Sequence, residues 1–267
     1  MNAGERTRRL VVFTDLDGTL LDHDTYDWSP ARPALDALSA AGVPLVPVSS
    51  KTLAELDVLC AALGTDGPRV AENGAVLALP GAAPQTVDPP IGRIRRLLAD
   101  IRRASGWRFR GFGDMTADEI AAHTGLEPAC AGRAARRLAS EPVLWQDSDE
   151  ALRRFRERLA VLGLHTLRGG RFVHVLGRAD KGRALRRVAE HLDADRTLAL
   201  GDSPNDRAML LAADVPIVVR RKDGTAMDLP ERPDALVTES PGPMGWNQAI
   251  LTYLEENGGG ASGATDA

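Results

Sequence analysis

Residues 10–14, LVVFT, are apolar or uncharged at every position. A strand with one wet face alternates, whereas an unbroken run marks a strand covered on both faces, as in a parallel sheet. The same pattern recurs in VPLVPVSS (43–50), RTLAL (196–200) and VPIVVR (215–220). Helical periodicity fills the intervals. WSPARPALDALSAAG predicts a helix capped by Ser29, with Pro30 in its first turn and Gly42 at its end. TLAELDVLCAALG carries the capping box Thr52-x-x-Glu55 and closes on Gly64. A short strand to Val70 leads into ENGA.

The pattern changes near Pro80, where LPGAAPQTVDPP reads as a crossing between domains. Beyond it the spacing predicts a helix over 90–104, a strand over 107–112, and helices near 116–122 and 127–139. A strand at 142–146, a helix at 149–162 and strands at 164–168 and 171–176 follow. GRADKGRALRRVAEHL then resumes a helix, and a last one covers 244–256. The expected fold class is α/β: a doubly wound parallel sheet interrupted by an α+β insert with an antiparallel sheet. The boundaries expected are 1–82 and 178–257 for the core, 83–177 for the insert, and 258–267, rich in glycine, for a flexible tail.

Composition adds limits. The chain has 267 residues, 43% of them hydrophobic but only 4% aromatic, so its core is expected to be mainly aliphatic. A net charge of −4 gives no reason to expect nucleic acid or a membrane surface as partner. No apolar stretch has the ~18 residues of a membrane span, and MNAGERTRRL has no apolar segment of a signal peptide behind it. Cys60 and Cys130, far apart in helix-like stretches, are expected to be reduced thiols of a cytoplasmic protein. Only three of the 33 basic residues are lysines, Lys51, Lys181 and Lys222, which draws notice to each.

In an open α/β sheet, ligands bind beyond the carboxyl ends of the strands. The first such end reads Asp15-Leu-Asp17-Gly18. A spacing of two puts both carboxylates on one side of an extended chain, although a solvated Asp-Gly turn fits equally well. The second end, Ser49-Ser50-Lys51, offers hydroxyls and free N–H groups at a helix start, an anion site beyond what capping by Thr52 requires. The third, GDSPND, holds Asp202, Asn205 and Asp206. Capping accounts for Ser203, Pro204 and Asp206, but not for Asp202. Asp15, Asp17 and Asp202 brought together would repel unless a cation sat among them, and hard oxygen ligands with room for water suit Mg²⁺. Lys181, at the return from the insert, is a point-charge partner for phosphate.

With these residues in this order, the chain resembles the haloacid dehalogenase-like phosphatases, with DLDGT at the first motif, Ser50 or Ser49 at the second, Lys181 at the third and GDSPND at the fourth. The insert between motifs two and three resembles the C2-type cap. FTDLDGTLLDHDTYDWSPA, VSSKT, AENGA, DSDE, RFVHVL and GDSPND are together similar to the mannosyl-3-phosphoglycerate phosphatases. Asp180 departs from the small residue that relatives often carry before the lysine. The resemblance implies that Asp15 is the nucleophile and Asp17 the general acid and base. Asp15, the Asp17 carbonyl and Asp202 would hold Mg²⁺, with Asp206 and Asn205 in support, and Ser50 and Lys181 would hold the phosphoryl oxygens. It also implies a small phosphorylated sugar-glycerate substrate. Arg171 is the candidate for its carboxylate, and Glu72 and Asn73 for its sugar hydroxyls. Ser49, Lys51 and Asn205 complete the candidate binding set. Asp147 and Ser148 could touch the sugar, but Asp147-x-x-Glu150 also reads as a capping box. His174 reads as a packed residue, and Tyr26 and Trp28 could either stack on a sugar or pack their loop. Glucosyl-3-phosphoglycerate, another sugar phosphate, or a non-catalytic phosphosugar-binding role are the alternatives.

Overall fold

The structure is a computed structural model, and it describes residues 9–87, 89–169 and 171–258. In chain order the elements are β1 (Leu10–Thr14), α1 (Arg32–Ala40), β2 (Leu45–Pro47), α2 (Leu53–Leu63), β3 (Arg69–Ala71), β4 (Val76–Ala78) and β5 (Gln85–Thr86). Then come α3 (Ile91–Ser105), β6 (Phe109–Gly111), α4 (Ala117–Thr124), α5 (Pro128–Ala134), β7 (Ser140–Trp145), α6 (Asp149–Val161), β8 (His165–Gly169) and β9 (Phe172–Leu176). The chain ends with α7 (Lys181–His191), β10 (Arg196–Gly201), α8 (Arg207–Ala212), β11 (Val215–Arg220), β12 (Leu236–Pro241) and α9 (Gly242–Gly258). Packing groups them into two compact units, Met1–Pro47 with Leu185–Ala267, and Val48–Ala184.

The first unit is built on a five-stranded sheet of order β12-β11-β10-β1-β2, parallel throughout. Its apolar runs are buried as continuous strands must be: Val11, Val12 and Phe13 of β1 and Leu198, Ala199 and Leu200 of β10 are fully covered. The indole of Trp246 in α9 is also fully buried, and its N–H donates to Thr14 Oγ1 at 2.9 Å, so the ring packs without stranding its polar atom. The cap expected at Ser29 is not made. Residues Ser29–Ala31 form a 3-10 turn before α1, and the Ser29 hydroxyl donates to Asp27 instead. Strand β12, half exposed and short of apolar positions, carries no strand signal that the sequence could show.

The second unit holds two antiparallel sheets, β3-β4-β5 and β6-β7-β9-β8. In the first of these, β3 is the short strand expected to Val70, and only β5 lies in the Pro/Gly-rich stretch that reads as a crossing. On one face of the four-stranded sheet, Ile94, Leu98 and Ile101 of α3 and Phe155 and Leu159 of α6 pack with Phe109, Val143 and Val175. The aromatics are few but gathered here: Phe109 and Trp145 stack at 5.7 Å between centroids, and Trp107 meets Phe155 edge-on. The other face carries Phe172, against which Ile120, Ala131 and Ala134 of α4 and α5 pack. Helix α5 ends at Ala134, well before the expected 139, and past it the N–H groups of Leu138 and Ala139 donate to the Glu72 carboxylate instead of continuing the helix. The capping box of Thr52 and Glu55 is present, with Gly64 in the left-handed cap. Helix α6 is capped by Ser148 rather than by Asp147, whose carboxylate accepts from the N–H groups of Arg108 and Ser148. Cys60 and Cys130 are free thiols. No helix among the described residues is long and apolar enough to cross a membrane. The tail expected over 258–267 lies, past Gly258, outside the described residues.

Candidate active site

In the parallel sheet, β1 and β10 are neighbours in register, Thr14 opposite Leu200, so their carboxyl ends emerge side by side. Asp15 follows the first and Asp202 the second. Both are buried, as is Asp206, and the three offer carboxylate oxygens within 4.8 Å of one another. Carboxylates gathered this closely repel one another, and an all-oxygen donor set fits a hard divalent ion such as Mg²⁺. The surroundings hold the acids in place. Thr19 Oγ1 donates to Asp202 Oδ1 at 3.2 Å, and Arg221 donates through Nε and Nη2 to the Asp202 carbonyl at 3.0 and 2.8 Å. Asp206 Oδ2 accepts from the N–H groups of Asp202 and Ser203 at 3.1 and 3.0 Å and from the Ser203 hydroxyl. Asp206 therefore folds the loop as well as joining the cluster.

Gly18 explains the end of the DLDG motif. Its φ is +85°, and a Cβ there would lie 3.1 Å from Asp202 Oδ2, so a side chain would meet both strain and the carboxylate. Asp17, half-buried, bridges to Leu21 in the same turn. Asn205 accepts from the Ser203 hydroxyl. Trp28 is covered by the Arg32 guanidinium, 4.6 Å from its ring centre, whereas Tyr26 is exposed and sits at φ +59°. Of the third lysine, the structure makes a surface tie: Lys222 pairs with Asp24.

The second unit gathers the basic and hydroxyl candidates around ENG. Glu72, Asn73 and Gly74 all have positive φ, at 53°, 58° and 94°. This compact turn ties three segments together. The N–H groups of Asn73 and Glu72 donate to the carbonyls of Ser49 and Lys51 at 2.8 and 2.9 Å. Gly74 lies so close to the main chain of Asp180 that a Cβ would sit 2.4 Å from its carbonyl oxygen. The Glu72 carboxylate accepts from Leu138 N at 2.7 Å, Ala139 N at 3.1 Å and Ser140 Oγ at 2.7 Å. The Glu72 carboxylate is thus buried and braces residues 138–140. Ser49 is buried and accepts from Lys51 N; Ser50 is half-buried.

Lys181 opens α7 and is only 1% exposed. The unusual Asp180 before it has a local task, since its Oδ1 accepts from Arg183 N at 2.8 Å and caps the helix. Arg171 is exposed and donates to the His123 carbonyl. Arg137, not singled out by sequence, is 8% exposed and donates to Ser50 O at 2.7 Å. It sits in RAARRLAS beside Arg133 and Arg136, and no periodicity in that window distinguishes it from them.

The family model for haloacid dehalogenase-like hydrolases matches residues 12–84 and 148–227. The glucosyl-3-phosphoglycerate/mannosyl-3-phosphoglycerate phosphatase of Methanococcoides burtonii is 37% identical, over 92% of this chain and 98% of its own. Among solved structures, a Thermoplasma acidophilum protein aligns with a TM-score of 0.72 at 18% identity, covering 92% of this chain and 98% of that one. A phosphatase of the haloalkanoate enzyme superfamily from Bacteroides thetaiotaomicron aligns at 0.70 and 20%, covering 97% and 98%. These two show the fold. On its family match and full-length likeness, the chain belongs to the haloacid dehalogenase-like hydrolases, as a phosphoric monoester hydrolase acting on sugar phosphates.

Proposed function

We propose that the protein is a Mg²⁺-dependent phosphatase that converts mannosyl-3-phosphoglycerate to mannosylglycerate and phosphate, in the cytoplasm. The observation that carries this reading is the full-length similarity to a relative whose name specifies glucosyl- and mannosyl-3-phosphoglycerate. That name pairs two sugars, which favours glucosyl-3-phosphoglycerate as a second substrate.

Asp15 attacks phosphorus through a carboxylate oxygen. The bond from phosphorus to the glycerate oxygen breaks, and Asp17 delivers its proton to the leaving alkoxide. Water then attacks the aspartyl-phosphate, Asp17 takes the proton, and phosphate leaves with Asp15 restored. Ser50 and Lys181 are assigned the phosphoryl oxygens, Ser49 and Lys51 further contacts to the substrate, Asn73 a sugar hydroxyl, and Asn205 support of the metal and substrate. Asp15, Asp202 and Asp206, with the Asp17 carbonyl, would hold Mg²⁺. The ion, when bound, offsets negative charge on the phosphoryl oxygens. The boundaries we assign are 1–82 and 178–257 for the catalytic core and 83–177 for the C2-type cap. The test is phosphate release from mannosyl- and glucosyl-3-phosphoglycerate side by side, with Mg²⁺ and with EDTA. Turnover of one or both that stops in EDTA supports the reading; release only from sugar phosphates that lack a glycerate rejects it.

A further inference from the structure

Arg137 is a buried cation whose hydrogen bonds all go to neutral oxygens. Nε donates to Ala134 O at 3.1 Å, and Nη1 to Ser50 O at 2.7 Å and more weakly to Ser140 Oγ at 3.4 Å. Among the described residues it makes no ion pair within 4.0 Å, and none of its hydrogen bonds uses Nη2. The acids around it are committed elsewhere. Glu72 is separated from it by Ser140 Oγ and accepts from residues 138–140. Glu141 pairs with Arg95 at 3.0 Å and accepts from Gly113 N. A buried guanidinium without a carboxylate of its own is costly unless an anion arrives to meet it.

His174 lies on the same side. Ser140 opposes Leu176, Pro142 opposes His174, and the period of two along β7 and β9 puts Ser140 and His174 on one face of the sheet. The imidazole is 8% exposed, its cross-strand neighbours are Pro142 and Leu167, and Nδ1 is buried without a hydrogen-bond partner. The unpaired, buried Nδ1 thus belongs to the face that carries Ser140, to which Arg137 donates, and buried polar atoms are ordinarily met by a partner. Burial, with a smaller contribution from the Arg137 charge, keeps the ring neutral, able to donate to an acid oxygen or meet a hydroxyl.

We propose that Arg137 and His174 form the subsite for the substrate's carboxylate. The position suits it. Arg137 is fixed to the carbonyl of Ser50, in the loop to which the proposed function gives the phosphoryl group, and only two carbons separate the substrate's carboxylate from its phosphate ester oxygen. A guanidinium held that near the phosphate loop selects phosphate monoesters with an acid close to the ester, and sets them apart from simple sugar phosphates. This inference rests on the proposed function only for the identity of the whole substrate; the subsite itself can be tested apart from it.

The matched ligands are 3-phosphoglycerate and glycerol 3-phosphate, which differ in carboxylate against hydroxymethyl. Inhibition constants for both are measured against hydrolysis of p-nitrophenyl phosphate. The wild type is expected to bind the carboxylate ligand about 10- to 100-fold more tightly, the range for a charged hydrogen bond. Arg137→Met should abolish that ratio, and Arg137→Lys and His174→Gln should each reduce it; the last two decide if Arg137→Met does not fold, with circular dichroism checking each. No preference in the wild type, an equal loss for both ligands in a folded variant, or a ratio lost in Arg171→Gln but kept in Arg137→Lys would overturn the proposal. A preference for 3-phosphoglycerate with no turnover of mannosyl- or glucosyl-3-phosphoglycerate would uphold the subsite and reject the proposed function.

Discussion

The carboxylate of Glu72 and the hydroxyl of Ser140 are 2.7 Å apart, and both residues are fully buried. Glu72 accepts two further hydrogen bonds from the main chain of Leu138 and Ala139. Its left-handed backbone, disfavoured for a residue with a Cβ, is maintained by these contacts. Glu72→Ala leaves three donors, two of them on the buried residues Ala139 and Ser140, without an acceptor. We expect a loss of about 3–5 kcal/mol, read as a drop in the denaturation midpoint, with Glu72→Gln intermediate. A variant as stable as the wild type would show that the brace does not contribute.

Asp180 gives a smaller and separate effect. Its carboxylate caps α7 through Arg183 N, one residue before the buried Lys181. Asp180→Ala should cost about 1 kcal/mol in chemical denaturation, and Asp180→Ser should recover most of it, because a serine oxygen can make the same bond. Equal stability of all three proteins would mean that the cap contributes nothing.

Much of this was legible in the sequence, for physical reasons that differ by residue. The parallel strands announce themselves because a strand covered on both faces needs unbroken apolar residues, as in Val11–Phe13 and Leu198–Leu200. Asp15 and Asp202 stood out because acids at the ends of buried strands have no structural excuse. The ENG turn is legible as Asn-Gly, but the bonds from the Glu72 carboxylate to residues 138–140 join segments 66 to 68 residues apart, and no local pattern shows them. Arg137 was invisible for the opposite reason. Its importance comes from burial and from partners 87 and 3 residues away, Ser50 and Ser140, and an arginine among many carries no mark of either. Strand β5 is too short, and too exposed, for its periodicity to register.

His174 links stability to pH. Burial, with help from Arg137, lowers its pKa from 6.5 to about 3. The neutral ring is the folded form, so the unfolded chain binds the extra proton between these values. Stability contributed above pH 6.5 is therefore lost progressively as pH falls from about 6.5 toward about 3. By pH 4 the loss from this one group is on the order of 3 kcal/mol. Unfolding free energies measured from pH 7 to pH 4 should fall less steeply in His174→Gln than in the wild type. Parallel slopes would mean that the ring is protonated in the folded protein.

The central claim is that the carboxylate of Asp15 becomes phosphorylated, and the most direct measurement is phosphate release by Asp15→Asn under saturating mannosyl-3-phosphoglycerate and Mg²⁺. An amide oxygen cannot replace the attacking carboxylate, and we expect the rate to fall by ~10³-fold or more while the circular dichroism spectrum is unchanged. A folded Asp15→Asn protein that releases phosphate at the wild-type rate would contradict the account.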